Sequence, residues 1–153
     1  MNVENKTLGQ SIIEHALNDA IEKYYENPSE DSFHLICNQL VRAYIFNLTV
    51  ICPFEIEEGC MHQKMYTTPD YGSAFVVYTG YDKNPEEKDP MSYGFMTWRT
   101  ILTKVAETWN STGIVINPYS GHKALVWINH VFARIIIKYA MEDMQRINTE
   151  IKQ

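Results

Sequence analysis

The stretch GIVINPYSG, residues 113–121, decides how the C-terminal half of the chain is read. Ile114, Val115 and Ile116 are apolar at consecutive positions, so an extended segment here would be covered on both faces, as a central buried strand requires. Asn117 favours a turn, and Pro118 cannot donate to a sheet ladder. Gly113 is expected to ease the turn out of a preceding helix. Gly121 is expected to let the chain swing into a long final helix. GIVIN is thus predicted to be the last strand, and the residues after it a hinge. Asn117 and His122 are the two side chains there that could meet a ligand.

Upstream of this strand, Ile101, Leu102, Val105, Ala106 and Trp109 recur at helical spacing, and YGFMTW before them reads as a short strand. Strand, helix and strand from Tyr93 to Asn117 fit a right-handed parallel crossover. Further back, His62–Thr67 and Ala74–Thr79 read as two strands joined by the turn chemistry of TPDYGS. In IFNLTVICPF the residues Phe46, Leu48, Val50 and Cys52 alternate with Asn47, Thr49 and Ile51, which predicts a strand ended by Pro53 and the acidic EIEEG. YDKNPEEKDP, with two prolines and no period, reads as a solvated loop.

The first 42 residues are helical in pattern. Leu8, Ile12, Ile13, Ala16, Leu17, Ala20, Ile21 and Tyr24 form one stripe, and Thr7 and Gln10 have the spacing of a capping box. Asn27-Pro28 stops that helix. Ser29 is placed to cap a second, with Phe33, Ile36, Cys37, Leu40 and Val41 on its apolar face. The expected class is α+β. It comprises a mixed, mostly antiparallel sheet of about five strands, two N-terminal helices, one crossover helix and a long C-terminal helix. All of 1–153 forms one domain, with a helical part at 7–42, a sheet part at 44–118 and the last helix at about 124–150.

Composition narrows the function classes. The chain has 153 residues, 45% hydrophobic and 21% charged, with a net charge of −6. That length suits a single core. Residues 1–60 hold three Lys and Arg against ten Asp and Glu, a balance that disfavours nucleic acid, whose phosphates need a concentrated basic surface. No window reaches the roughly 18 apolar residues of a membrane span. The first ten residues lack the basic and apolar pattern of a secretion signal, so a cytoplasmic location is expected. Three cysteines, Cys37, Cys52 and Cys60, show no CxxC pair, which fits a reducing compartment better than a disulfide framework.

Reactive constellations are sparse. Cys60 and His62 sit together, yet zinc takes three or four ligands and no matching pair follows. His122 and His130 are eight residues apart. Cys37 and Cys52 fall on apolar faces, which leaves Cys60 as the one candidate reactive thiol, with no cation in view to lower its pKa. NPYSGHK brings Gly and Lys near a predicted helix start, but no phosphate-loop spacing exists. Glu55, Glu57 and Glu58, and Glu86, Glu87 and Asp89, read as wet loops. No metal, cofactor or catalytic residue is expected.

The last helix stands apart. Ile128, Val131, Phe132, Ile135, Ile136 and Tyr139 form the expected core stripe. A second line, Ala133, Ile137, Met141 and Met144, widens the apolar arc beyond the about 100° of an ordinary surface helix. Either the helix is largely buried or that second line meets a partner. Together with the aromatics Tyr119 and Trp98, these four are the candidate interface, and Tyr66, Tyr71 and Tyr81 lie at similar strand ends.

The order LTVICPF, YTTPD, FVVYTGYDKNP and GIVINP resembles the N-terminal domain of the SseB family. VVYTG at Val76–Gly80 stands where that family has a strand-ending motif, and GIVINP at Gly113–Pro118 stands for a later strand end. The resemblance runs from about Phe33 to Ala140. It implies a domain with no agreed catalytic activity and no catalytic residue to carry over. Family members often carry a further C-terminal domain, and none is expected here. A non-enzymatic protein-binding or regulatory domain is therefore expected, with a protein partner or a homodimer. The alternatives are a small-ligand binder or small enzyme at Asn117, assisted by Cys60 or His122, and an immunity or antitoxin-like partner of a basic toxin, since an acidic first half would steer such a target.

Overall fold

The computed structural model describes residues 7–69, 72–80, 93–108, 112–118 and 125–152. Both predicted caps are present. The Thr7 hydroxyl accepts the Gln10 N–H at 3.1 Å and the Gln10 side chain accepts the Thr7 N–H at 3.0 Å, opening α1 (Leu8–Glu26). Ser29 and Ser32 bond reciprocally, each at 3.0 Å, at the start of α2 (Glu30–Ile45). Glu30 and Asp31 in that first turn complement the positive end of the helix dipole.

The class is α+β, with helices at both ends of the chain and the strands between them. The described residues contain seven strands in two sheets rather than about five in one. β1 (Thr49–Glu57) lies between β2 (Cys60–Gln63) and β5 (Tyr93–Thr97), all antiparallel. β3 (Met65–Thr68), β4 (Gly72–Val77), β6 (Gly113–Ile116) and β7 (Val126–Ile128) form the second sheet in the order β3-β4-β6-β7. The two sheets are stitched where Ile51 and Tyr78 exchange backbone hydrogen bonds of 3.0 and 2.8 Å.

Several expectations change here. Phe46 caps the C-terminus of α2 and is exposed, so it is outside β1. Pro53 does not end β1: residues 49–53 pair with β5 and 54–57 with β2, so the missing proline N–H falls where the ladder changes partners. The Pro53 carbonyl accepts the Lys64 N–H at 2.9 Å. Lys64 in turn breaks the single strand expected at His62–Thr67, because its carbonyl accepts from Val76 in the other sheet.

The crossover is also repositioned. β5 belongs to the three-stranded sheet, and the parallel partner of β6 is β4, reached through β5 and α3 (Trp98–Ala106). β6 is not the last strand, since β7 pairs antiparallel to it. Nor does the last helix begin near Ala124. The Asn129 side chain accepts the Phe132 N–H at 2.9 Å, and α4 runs from His130 to Lys152. With β7 in between, Asn117 is no hinge into α4, and Gly121 lies outside the described residues. Gly113 serves close approach rather than a turn: a Cβ there would stand 2.8 Å from the Ile128 carbonyl oxygen and 2.6 Å from the Trp127 indole nitrogen.

The predicted double burial of β6 holds. Ile114 and Ile116 enter the main core with α1, α2, α3 and α4, while Val115 enters a second cluster with Ile51, Ala74, Val76 and Tyr78. One strand with two apolar faces thus joins two cores. The four helices contribute to the first cluster alone, which leaves their outer faces as the surface where a site could form.

Candidate functional site: the groove between α2 and α4

α4 divides its apolar residues differently from the sequence expectation. Ala133, Ile136 and Ala140 are buried, with Phe132 and Ile137 packed partly against them. Ala133 and Ala140, two turns apart, let the helix settle closely onto the domain. The other apolar line faces out: Val131 is 48% exposed, Ile135 42% and Tyr139 56%. Three residues expected in the core are therefore surface. Conversely, Ala133 is fully buried and Ile137 half-buried against the core, so neither belongs to the exposed line. Trp98 is 1% exposed and is likewise core.

Met141 is exposed, with its sulfur 4.0 Å from the Tyr44 hydroxyl, and Met144 is half-buried. Tyr119 and His122, together with Tyr71, Tyr81, Trp109, Glu86, Glu87 and Asp89, lie outside the described residues. The alanines were the signal that could have phased α4, since small residues mark the side of closest packing.

Two contacts hold α2 beside α4. At one end the Phe33 and Phe132 rings meet edge to face, 5.0 Å between centroids, and at the other Tyr44 meets Met141. The residue order of these contacts makes the two helices parallel. Along their outer seam runs a cleft of about 380 Å³. Its α2 wall is His34, Cys37, Asn38 and Val41, and its α4 wall is Phe132, Ile135, Ile136 and Tyr139. The lining is mainly apolar, with a polar rim of His34 and Asn38. No ionised group is set against another inside it, so the chemistry on offer is desolvation of an apolar side chain.

Burial acts on two of the three thiols. Burial pushes the Cys37 thiol up to about 11. Burial pushes Cys52 up to about 12, against a smaller lowering by Lys104. Both stay protonated near neutrality. The sign follows: the unfolded thiols ionise from about pH 9 while the folded ones do not, so stability falls as pH rises through the window from 9 to 11–12. Denaturation midpoints measured across that window should fall less steeply for Cys52→Val than for wild type, by up to about 1 kcal/mol per pH unit. Equal slopes would contradict the buried neutral thiol. Cys60 and His62 are exposed on β2. Among the described residues, no three His, Cys, Asp or Glu side chains gather where a metal ion could sit.

Asn117 has its polar groups already committed. It is 2% exposed and adopts φ 51°, in the left-handed region that asparagine tolerates better than most residues. Its side-chain oxygen accepts the Thr79 N–H at 3.1 Å and its amide donates to the Thr79 hydroxyl at 3.0 Å. That hydroxyl donates on to Asn18 of α1, and the Tyr25 hydroxyl, also on α1, donates to the Ile116 carbonyl at 3.0 Å. The cluster pins α1 to the ends of the parallel strands β4 and β6.

Among the described residues no helix is long and apolar enough to cross a membrane. Comparison of the chain with protein-family models, with curated proteins and with solved structures finds no match in any of the three.

Proposed function

We propose that this chain is a non-enzymatic, SseB-like protein-binding domain whose docking surface is the groove between α2 and α4. One observation carries it: Val131, Ile135 and Tyr139, one turn apart, expose large apolar side chains beside an open apolar cleft. Contiguous apolar surface of this kind lowers its free energy when a partner covers it. A helix or loop bearing an apolar anchor fits the cleft, with His34 and Asn38 available to its polar flank. The SseB-like part of the proposal rests on the VVYTG and GIVINP motifs. The rival at Asn117 is less well supported, because the Asn117 side chain is occupied by Thr79.

Ile135→Asp is the informative variant, since a half-exposed position accepts a charge with the fold intact. Immobilised wild-type protein should retain binding proteins that the variant releases. Equal retention by both proteins would remove the groove from the account.

A further inference from the structure

We infer that the open edge of β2 and β3 is a second binding surface, which takes an extended segment of another protein in which apolar residues alternate with basic ones. It is independent of the groove between α2 and α4. β2 and β3 are the outermost strands of their sheets, each paired on one side. In an antiparallel ladder, residues bonded to the partner strand alternate with residues whose N–H and C=O point away from it. Lys64 donates to the Pro53 carbonyl at 2.9 Å, and its own carbonyl accepts from Val76 at 3.2 Å. Lys64 is thus bonded inward at the point where the partner changes from β1 to β4. Counting by twos from it, Cys60 and His62 face β1, and Tyr66 and Thr68 face β4. Met61, Gln63, Met65 and Thr67 are left with their backbone groups turned outward, along one edge that runs past both sheets. Among the described residues no strand pairs with that edge.

The spacing of these groups selects an extended occupant. A strand repeats its donors and acceptors every second residue, as this edge does, and a helix does not. The side chains then select its sequence. Met61, Gln63 and Met65 share one face, since side chains alternate along a strand. Met61 is 66% exposed, and Ile56 across from it is 73% exposed. Met65, 38% exposed, lies across from Phe75. Edge strands are commonly guarded by lysine or proline. Here the outward positions carry methionines, which adapt to varied apolar partners. Between them the Gln63 amide nitrogen is enclosed with no acceptor among the described residues, an orphan donor that an incoming strand can satisfy. On the opposite face Glu55 pairs across from His62, and Thr49–Thr68 holds Glu55, Glu57 and Glu58 against Lys64 alone. That balance favours basic side chains on the second face of the added strand.

The probe is a capped synthetic peptide in which valine alternates with lysine, followed by amide hydrogen exchange of the isotopically labelled protein. In the free protein, the Met61, Gln63, Met65 and Thr67 amides should exchange faster than those of His62, Lys64 and Tyr66. Saturating peptide should slow the four outward amides by about tenfold or more. Replacing lysine by glutamate in the peptide should weaken binding by about tenfold. Methylating the valine nitrogens should abolish it, because residues bonded to this edge lie opposite Met61 and Met65 on the apolar face. Met61→Lys with Met65→Lys, at exposed positions that leave the fold intact, should also weaken binding by about tenfold. Ile135→Asp should bind the peptide as wild type does, which keeps this test separate from the groove. Outward amides already protected in the free protein, or unchanged at millimolar peptide, overturn the inference. So does equal binding of the methylated peptide or by the double lysine variant. Protection that rises with protein concentration alone would assign the edge to a second copy and overturn the partner inferred here.

Discussion

Trp98→Ala is expected to destabilise the protein by about 3–5 kcal/mol, the range for deleting a buried aromatic. Trp98 is 1% exposed within the main core and opens α3, where its N–H donates to the Leu48 carbonyl at 2.8 Å. Truncation leaves a cavity beneath the junction of β5, α3 and the start of β1. Against a typical total of about 5–15 kcal/mol, such a loss leaves a marginal fold. Trp98→Phe retains most of the volume and should cost roughly 1–2 kcal/mol, so the pair separates cavity from general perturbation. Urea denaturation followed by circular dichroism reads both. A cost below about 1 kcal/mol for the alanine variant would contradict a core role.

Asn117→Ala should cost about 3 kcal/mol, from two sources. The part-buried Thr79 N–H loses its acceptor, at about 1–2 kcal/mol. Alanine must also adopt φ 51°, at about 1–2 kcal/mol. Asn117→Gly loses the same hydrogen bonds but accepts the backbone, so it should be about 1 kcal/mol more stable than the alanine variant. Equal stabilities for the two variants would show that the backbone conformation contributes nothing.

These two residues also show what the sequence carried. Asn117 was legible as a turn former next to a strand, because that preference is local. Its partner Thr79 lies 38 residues away, and nothing local announces it. The caps at Thr7 and Ser29 were legible for the same reason: each is closed by a residue three positions on. Trp98 was misplaced because YGFMTW alternates like a strand, whereas Thr97 caps a helix by accepting the Thr100 N–H at 3.2 Å.

Strand partners depend on contacts between distant segments. β6 read correctly as doubly buried, yet its parallel neighbour proved to be β4 rather than β5. β7 escaped because three residues are too few to show a period, and Val126 and Ile128 merge into the helical pattern that follows. Groove residues were half legible. The wide apolar arc of α4 signalled two faces, but which one the domain covers is decided by where α2 and α3 pack. The small residues Ala133 and Ala140 mark the covered side, so the exposed line is Val131, Ile135 and Tyr139.

The central claim is that α2 and α4 present this line to another protein chain. Its most direct test immobilises wild type, Ile135→Asp and a control, Thr100→Asp, whose substitution lies on the exposed side of α3. Each is exposed to native cell extract supplemented with an untagged copy of the chain. The account predicts that wild type and control retain the same chains, and that Ile135→Asp, folded by circular dichroism, loses them. Retention unchanged by Ile135→Asp would contradict it.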